Sequence, residues 1–143
     1  MSMDTATAWL AISDLEVRYA ARSVVRGLSL ELESGAIGCL LGASGCGKTT
    51  ALRAIAGFEP AYAGSIVIAG DRVSAPGHTV APEARQIGMV FQDYALFPWL
   101  SVRDNIGFGP AARGLSSGEV RDTADKFIEL VGLQKFAKAY PHQ

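Results

Sequence analysis

Eight residues, Gly42-Ala43-Ser44-Gly45-Cys46-Gly47-Lys48-Thr49, constrain this chain more than any other stretch of it. They match the spacing G-x-x-x-x-G-K-[ST] in full. Glycines at these positions let the backbone curl until successive N–H groups converge, which makes a nest for an anion. The residues that follow, 50–56, carry Leu52, Ile55 and Ala56 on one side and stop at Gly57, the pattern of a helix and its end. The nest therefore opens onto a helix N-terminus, whose partial positive charge favours the same anion. Lys48 adds an ammonium within reach of the outer groups of a phosphate chain, and Thr49 offers a hydroxyl to Mg²⁺. Average residue usage would produce this pattern by chance in fewer than about one chain in a hundred of this length. Ahead of the loop, Ala36-Ile37-Gly38-Cys39-Leu40-Leu41 shows no polar alternation and reads as a buried strand of a parallel sheet.

Other elements follow from hydrophobic pattern and turn residues. Residues 10–19 and 24–32 are strand-like, and in the second Leu28, Leu30 and Leu32 alternate with Ser29 and Glu31, as in a strand covered on one face. Glu33-Ser34-Gly35 turns the chain after it. Residues 65–69 predict another short strand, turned by Gly70-Asp71. Residues 74–83, with Pro76, Gly77 and Pro82, read as an exposed loop, and residues 86–91 as a further buried strand. Beyond Pro98, Ser101 and Asp104 mark a helix start. A longer helix over 117–131 has Val120, Ala124, Phe127 and Val131 as its apolar stripe and Gly132 as its stop. Ser116 and Glu119 have the spacing of a capping box at its start. Strands give way to helices near Pro98, which predicts an α/β part over residues 1–98 and a helical part over 99–143.

Composition narrows the function classes. A length of 143 residues is enough for one domain with a real core. The net charge of −1 gives no reason to expect a nucleic-acid backbone or an acidic lipid surface as partner. No apolar run approaches the roughly 20 residues that span a bilayer, and Asp4 among polar residues does not read as a signal peptide. These features point to a cytoplasmic protein. Cys39, in its apolar run, reads as a buried, inert side chain. Cys46 lies in the glycine loop among amides and beside Lys48, surroundings that favour a reactive thiol. His78 and His142 are isolated along the chain, so no structural zinc site is expected.

The residues around the loop add a family likeness. Leu41 through Thr50, followed by Leu52-Arg53 and Ala56-Gly57, closely resembles the nucleotide-binding subunit of ABC transporters. Downstream, Ile87-Gly88-Met89-Val90-Phe91-Gln92-Asp93 resembles that family's Q-loop. The likeness continues through Ala95-Leu96-Phe97-Pro98 and Ser101-Val102-Arg103-Asp104-Asn105-Ile106, and it covers the chain from about Leu10 to its last residue.

This resemblance implies an α/β fold of the P-loop NTPase type, the core of an ABC ATPase, with ATP and Mg²⁺ as its cofactors. By it, Tyr19 is the aromatic that stacks on adenine, and Val24 is the small apolar residue beside that base. Gly42, Ala43, Ser44, Gly45, Cys46 and Gly47 cradle the phosphates. Lys48 meets the β- and γ-phosphates, Thr49 holds Mg²⁺ and Thr50 bonds the α-phosphate. Gln92 reaches Mg²⁺ and the attacking water, so Lys48 and Gln92 are the catalytic candidates. The loop of residues 93–100, with Tyr94, Phe97 and Trp99, resembles the surface that grips a membrane-spanning permease. The implied partners are such permease subunits and a second ATPase subunit, on the inner face of the cell membrane. The stretch from Ala69-Gly70-Asp71-Arg72-Val73 to Gly88 looks most like importers of ferric iron and related small solutes.

Parts of the family pattern do not occur in these residues. Leu115-Ser116-Ser117-Gly118-Glu119 looks like the family's signature motif but comes too soon after Gln92. There is no apolar strand ending in Asp-Glu and no later switch histidine. The expectation is a truncated ATPase that binds nucleotide without appreciable turnover. The alternative is a non-catalytic module that dimerises or docks on membrane partners without using ATP.

Overall fold

A computed structural model describes residues 8–143. The segment around Asp4, read above for a signal peptide, lies outside the described residues. The chain divides into two units, one ending at Met89 and the other running Val90–Gln143.

The first unit is built on an antiparallel sheet. Its strands are β1 (Leu10–Tyr19), β2 (Arg22–Leu32), β3 (Ala63–Ile68), β4 (Asp71–Ala75) and β5 (His78–Thr79), in the spatial order β2-β1-β3-β4-β5. β1 is the central strand of the hydrophobic pattern. Its buried residues are Leu10 and Ile12, then Leu15 and Val17, so the two-residue alternation slips by one between them. The pairing with β2 and β3 shifts register at the same place. Asp14 adopts φ 46 there and donates its N–H to Ser29 Oγ at 2.8 Å. This bulge brings both pairs to the covered face. It also dictates Gly64, since a Cβ at that position would overlap the carbonyls of Ser13 and Asp14.

One helix, α1 (Lys48–Ala56), packs on this sheet. Its buried side is Thr50, Ala51, Ala54 and Ala56, whereas Leu52, expected on the covered side, is half exposed. Small residues let the helix axis approach the sheet closely, so Ala51 and Ala54 take the inward positions that Leu52 would overfill. Gly57 ends the helix at φ 95, and the Phe58 N–H reaches back to the Arg53 carbonyl at 2.9 Å.

Arg85 closes the same end from another part of the chain. It is 4 % exposed. Its guanidinium donates to the carbonyls of Ala54 and Ile55 at 2.8 Å each, of Val80 at 2.9 Å and of Val73 at 3.0 Å. Burial lowers its pKa from the ordinary arginine value, but an arginine remains charged over any working pH. The cation thus faces the negative end of the helix dipole.

Several expectations are corrected here. Residues 36–41 form no strand: Ile37 is 97 % exposed and Leu41 87 % exposed. A strand exists only through its ladder, and no segment among the described residues pairs with this one. Cys39 goes with it and is exposed rather than buried. Residues 86–91 are not a strand either. Gln86 takes φ 53, which breaks the extended run just after Arg85 turns inward, and Val90 is exposed. Residues 74–83, read as a loop, instead contribute the end of β4 and all of β5. Pairing Ser74 with Ile66 carries Ser74 into full burial.

The second unit is helical, with α2 (Val102–Ala112) and α3 (Ser117–Leu130). Ser101 caps α2 by accepting the Asp104 N–H. The Asn105 side chain bonds to the backbone of Phe97, Leu100 and Ser101, which fastens the preceding loop to the helix. The capping box of α3 is present in both directions between Ser116 and Glu119. An Arg103–Asp125 ion pair at 2.7 Å links the two helices. The stripe of α3 differs from expectation: Ala124 and Ile128 are buried, whereas Phe127 and Val131 are exposed. Both stripes have helical spacing, and contact with α2 selects the one that faces it. No helix among the described residues is long and apolar enough to cross a membrane.

Candidate functional site

The glycine loop between residue 41 and α1 adopts the geometry its sequence demands. Gly42, Gly45 and Gly47 have φ 155, 78 and 100. A Cβ on Gly42 would press on Cys46 Sγ, and one on Gly47 would press on the Val24 carbonyl, each at 2.8 Å. The loop therefore folds tightly on itself and against β2. Gly47 is the N-cap of α1, with no side chain to satisfy the helix's first amides and no acidic residue in the first turn. Those N–H groups stay available to an anion.

Lys48 bends back over this loop. Its ammonium donates to the carbonyls of Gly42 at 2.8 Å and Ala43 at 2.7 Å, and stands 3.6 Å from Cys46 Sγ. A cation beside the uncapped amides of a helix start fits a polyphosphate in charge and in donor chemistry.

Beside the loop lies a cavity of about 920 Å³. β2 supplies Arg22, Val24 and Arg26 to its wall, and the loop supplies Gly45, Cys46, Gly47 and Lys48. Among the described residues that line it, three are cations and none is a carboxylate. Such a space stabilises a polyanion by field as well as by direct contact. Arg22 and Arg26 were not singled out from sequence; scattered arginines on a strand carry no motif.

The other predicted residues lie as follows. Thr49, Gly42, Ala43 and Ser44 are exposed and are not among the residues that line the cavity. Thr50 is buried. Tyr19 stands at the β1–β2 turn, outside the cavity wall, and is 45 % exposed. Its hydroxyl donates to Glu59 Oε1 at 2.8 Å, and that bond to a carboxylate raises the phenol above its ordinary pKa. Glu59 was also missed, since a lone glutamate after a helix-ending glycine gives no signal. Gln92 belongs to the second unit and is solvent-exposed. In that unit Tyr94 and Trp99 are exposed, while Phe97 packs on Phe108 with ring centroids 4.3 Å apart.

The chain is similar to known proteins over most of its length. The family profile of the ABC transporter matches residues 25–143. The nitrate import ATP-binding protein of Synechocystis is 41 % identical over 138 residues, covering 94 % of this chain and 49 % of that protein. The putrescine transport ATP-binding protein of Escherichia coli is 43 % identical over 137 residues, 96 % of this chain and 35 % of the relative. A putative ATP-binding protein of Brucella abortus is 38 % identical over 134 residues, 94 % and 37 % of the two chains. The chain thus spans between about a third and a half of the length of these relatives.

Proposed function

Since the chain belongs to the ABC transporter family, we propose that it is the nucleotide-binding part of an import ATPase, with MgATP held at residues 42–50. The observation that carries this reading is the cation-lined cavity beside a glycine loop whose helix amides are uncapped. Mg²⁺, when bound, neutralises charge between the phosphates. The chain's own residues do the rest. The amides from Gly42 to Gly47 hold the phosphate oxygens, and Lys48 exchanges its two carbonyl partners for the β- and γ-phosphates. Thr49 gives its hydroxyl to the metal and Thr50 bonds the α-phosphate. Tyr19 covers one face of adenine, for which a flat π-system is suited, and Val24 packs at the base edge. The family resemblance gives Gln92, in the second unit, the role of orienting water. Catalysis of this kind rests on positioning and charge stabilisation rather than covalent chemistry.

The assembly follows from the same reading. A second ATPase subunit and membrane-spanning permeases are the partners, the latter gripped through residues 93–100. Residues 1–98 form the nucleotide-binding part and 99–143 begin the helical part. This places the protein at the cytoplasmic face of the membrane. The transported solute is small. The relatives named above are described for nitrate and putrescine, so the ferric-iron expectation gains no support from them.

Calorimetric titration of MgATP into residues 1–143, with Lys48→Ala alongside, tests the reading. Saturable binding that the variant loses supports it, whereas a folded chain that takes up no nucleotide overturns it. Turnover is expected to be negligible, and ATPase activity abolished by Lys48→Ala would refute that part alone.

A further inference from the structure

Tyr19 combines two properties that seldom occur together on a surface. Nearly half of the residue is open to solvent, yet its single polar atom is fastened at 2.8 Å to Glu59 Oε1. An exposed tyrosine ordinarily exchanges among rotamers, so an open ring with a tethered tip is held in one orientation. The tether is itself secured. The Glu59 side chain is only 13 % exposed, and the same Oε1 takes the Arg53 Nε at 3.2 Å. Arg53 belongs to α1. The ring at the end of β1 is thereby tied to the helix that starts in the glycine loop.

We propose that Glu59 is a positioning residue for nucleobase recognition: its carboxylate fixes the Tyr19 ring at a set place and angle relative to the phosphate loop, before any nucleotide arrives. This rests on the reading of Tyr19 as the adenine-stacking residue. Glu59 touches no nucleotide. It acts by removing ring motion that binding would otherwise have to freeze, and by keeping base and phosphate sites in register through α1. The phenol stays protonated, and so remains a donor, because the neighbouring carboxylate disfavours its ionisation.

The test compares MgATP with tripolyphosphate, which offers the phosphates without a base. Tyr19→Phe and Glu59→Ala in the full chain are each expected to weaken MgATP binding about threefold to tenfold, the effect of losing one pre-ordered side chain. Tripolyphosphate affinity is expected to be unchanged in both. The double variant is expected to be no weaker than Glu59→Ala alone, because that substitution already breaks the Tyr19–Glu59 bond that Tyr19→Phe removes. A merely structural role for Glu59 would weaken tripolyphosphate as well, and that outcome overturns the proposal. So do independent, multiplying effects in the double variant. Tyr19→Phe leaves the Glu59–Arg53 pair in place, so unchanged MgATP affinity in that variant alone is also fatal, even if Glu59→Ala fails to fold. Tyr19→Ala separates the two readings. If it leaves the preference for MgATP over tripolyphosphate untouched, the stacking role of Tyr19 is wrong. If it lowers that preference while Glu59→Ala does not, only the role of Glu59 is lost.

Discussion

The two ends of α1 are finished in opposite ways. At its start Gly47 leaves the first amides without a side-chain cap, and the nearest cation, Lys48, is held by two loop carbonyls and the Cys46 sulfur. At its end Gly57 turns the chain, and the buried Arg85 donates to carbonyls on the last turn, on β4 and on the following loop. One end leaves its hydrogen-bonding capacity unspent by side chains, and the other uses it in the fold. Function and stability are therefore separable along nine residues of helix, and substitutions at the two ends should report on different quantities.

The largest effect that separates them is expected from Lys48→Ala. Loss of two or more charge-assisted phosphate contacts should weaken MgATP binding by about 3–5 kcal/mol. Denaturant unfolding should change little, because Lys48 supports only its own loop; a large stability loss would break the comparison. Arg85→Met is next and opposite in kind. It removes four donations, but the Ala54 and Val73 carbonyls keep other donors, in the N–H groups of Gly57 and Val80. A stability loss of about 2–4 kcal/mol in urea unfolding is expected. An unchanged midpoint would show that water replaces the guanidinium freely.

Gly57→Ala sharpens the same end. It places a Cβ 2.7 Å from Arg85 Nε and forces alanine to φ 95, so about 1–2 kcal/mol should be lost. In Arg85→Met the steric part of that loss should shrink, a coupling that a double-mutant cycle reads directly.

The smallest effect belongs to the exposed start of α3, where the cap serves neither ligand nor core. Ser116→Ala should cost about 1 kcal/mol of helix stability, followed by circular dichroism. The Ser116 hydroxyl and backbone N–H hold the Glu119 carboxyl below the usual range. A depressed carboxylate stabilises the fold above its unfolded pKa and loses that contribution as pH falls through its folded pKa. Helix content at α3 should accordingly decline on acidification, and Glu119→Gln should flatten the decline.

Much of this was legible in residues close together in the chain. The loop from Gly42 to Thr49, the stop at Gly57, the cap at Ser101 and the capping box at Ser116 and Glu119 all follow from chemistry within a few positions. Residues 10–19 and 24–32 were readable as strands for the same reason. The misreadings came where a distant partner decides. Residues 36–41 are as apolar as β1, yet they pair with nothing among the described residues and lie open. On α1 and α3 the helical period was right, but which stripe turned inward was set by the neighbouring surface.

By itself, then, the sequence determined a glycine loop at the head of a helix, the ends of the helices, and membership of the ABC transporter family. Those features depend on backbone freedom, local hydrogen bonding and residue identity at fixed spacing. Only the tertiary structure decided that Arg85 seals the far end of α1 and that Glu59 tethers Tyr19 across 40 residues. It also decided that Arg22 and Arg26 face the same cavity as Lys48. Each of those joins groups far apart in the chain, and a contact of that kind has no spacing to read: it exists only once the sheet has brought its partners together.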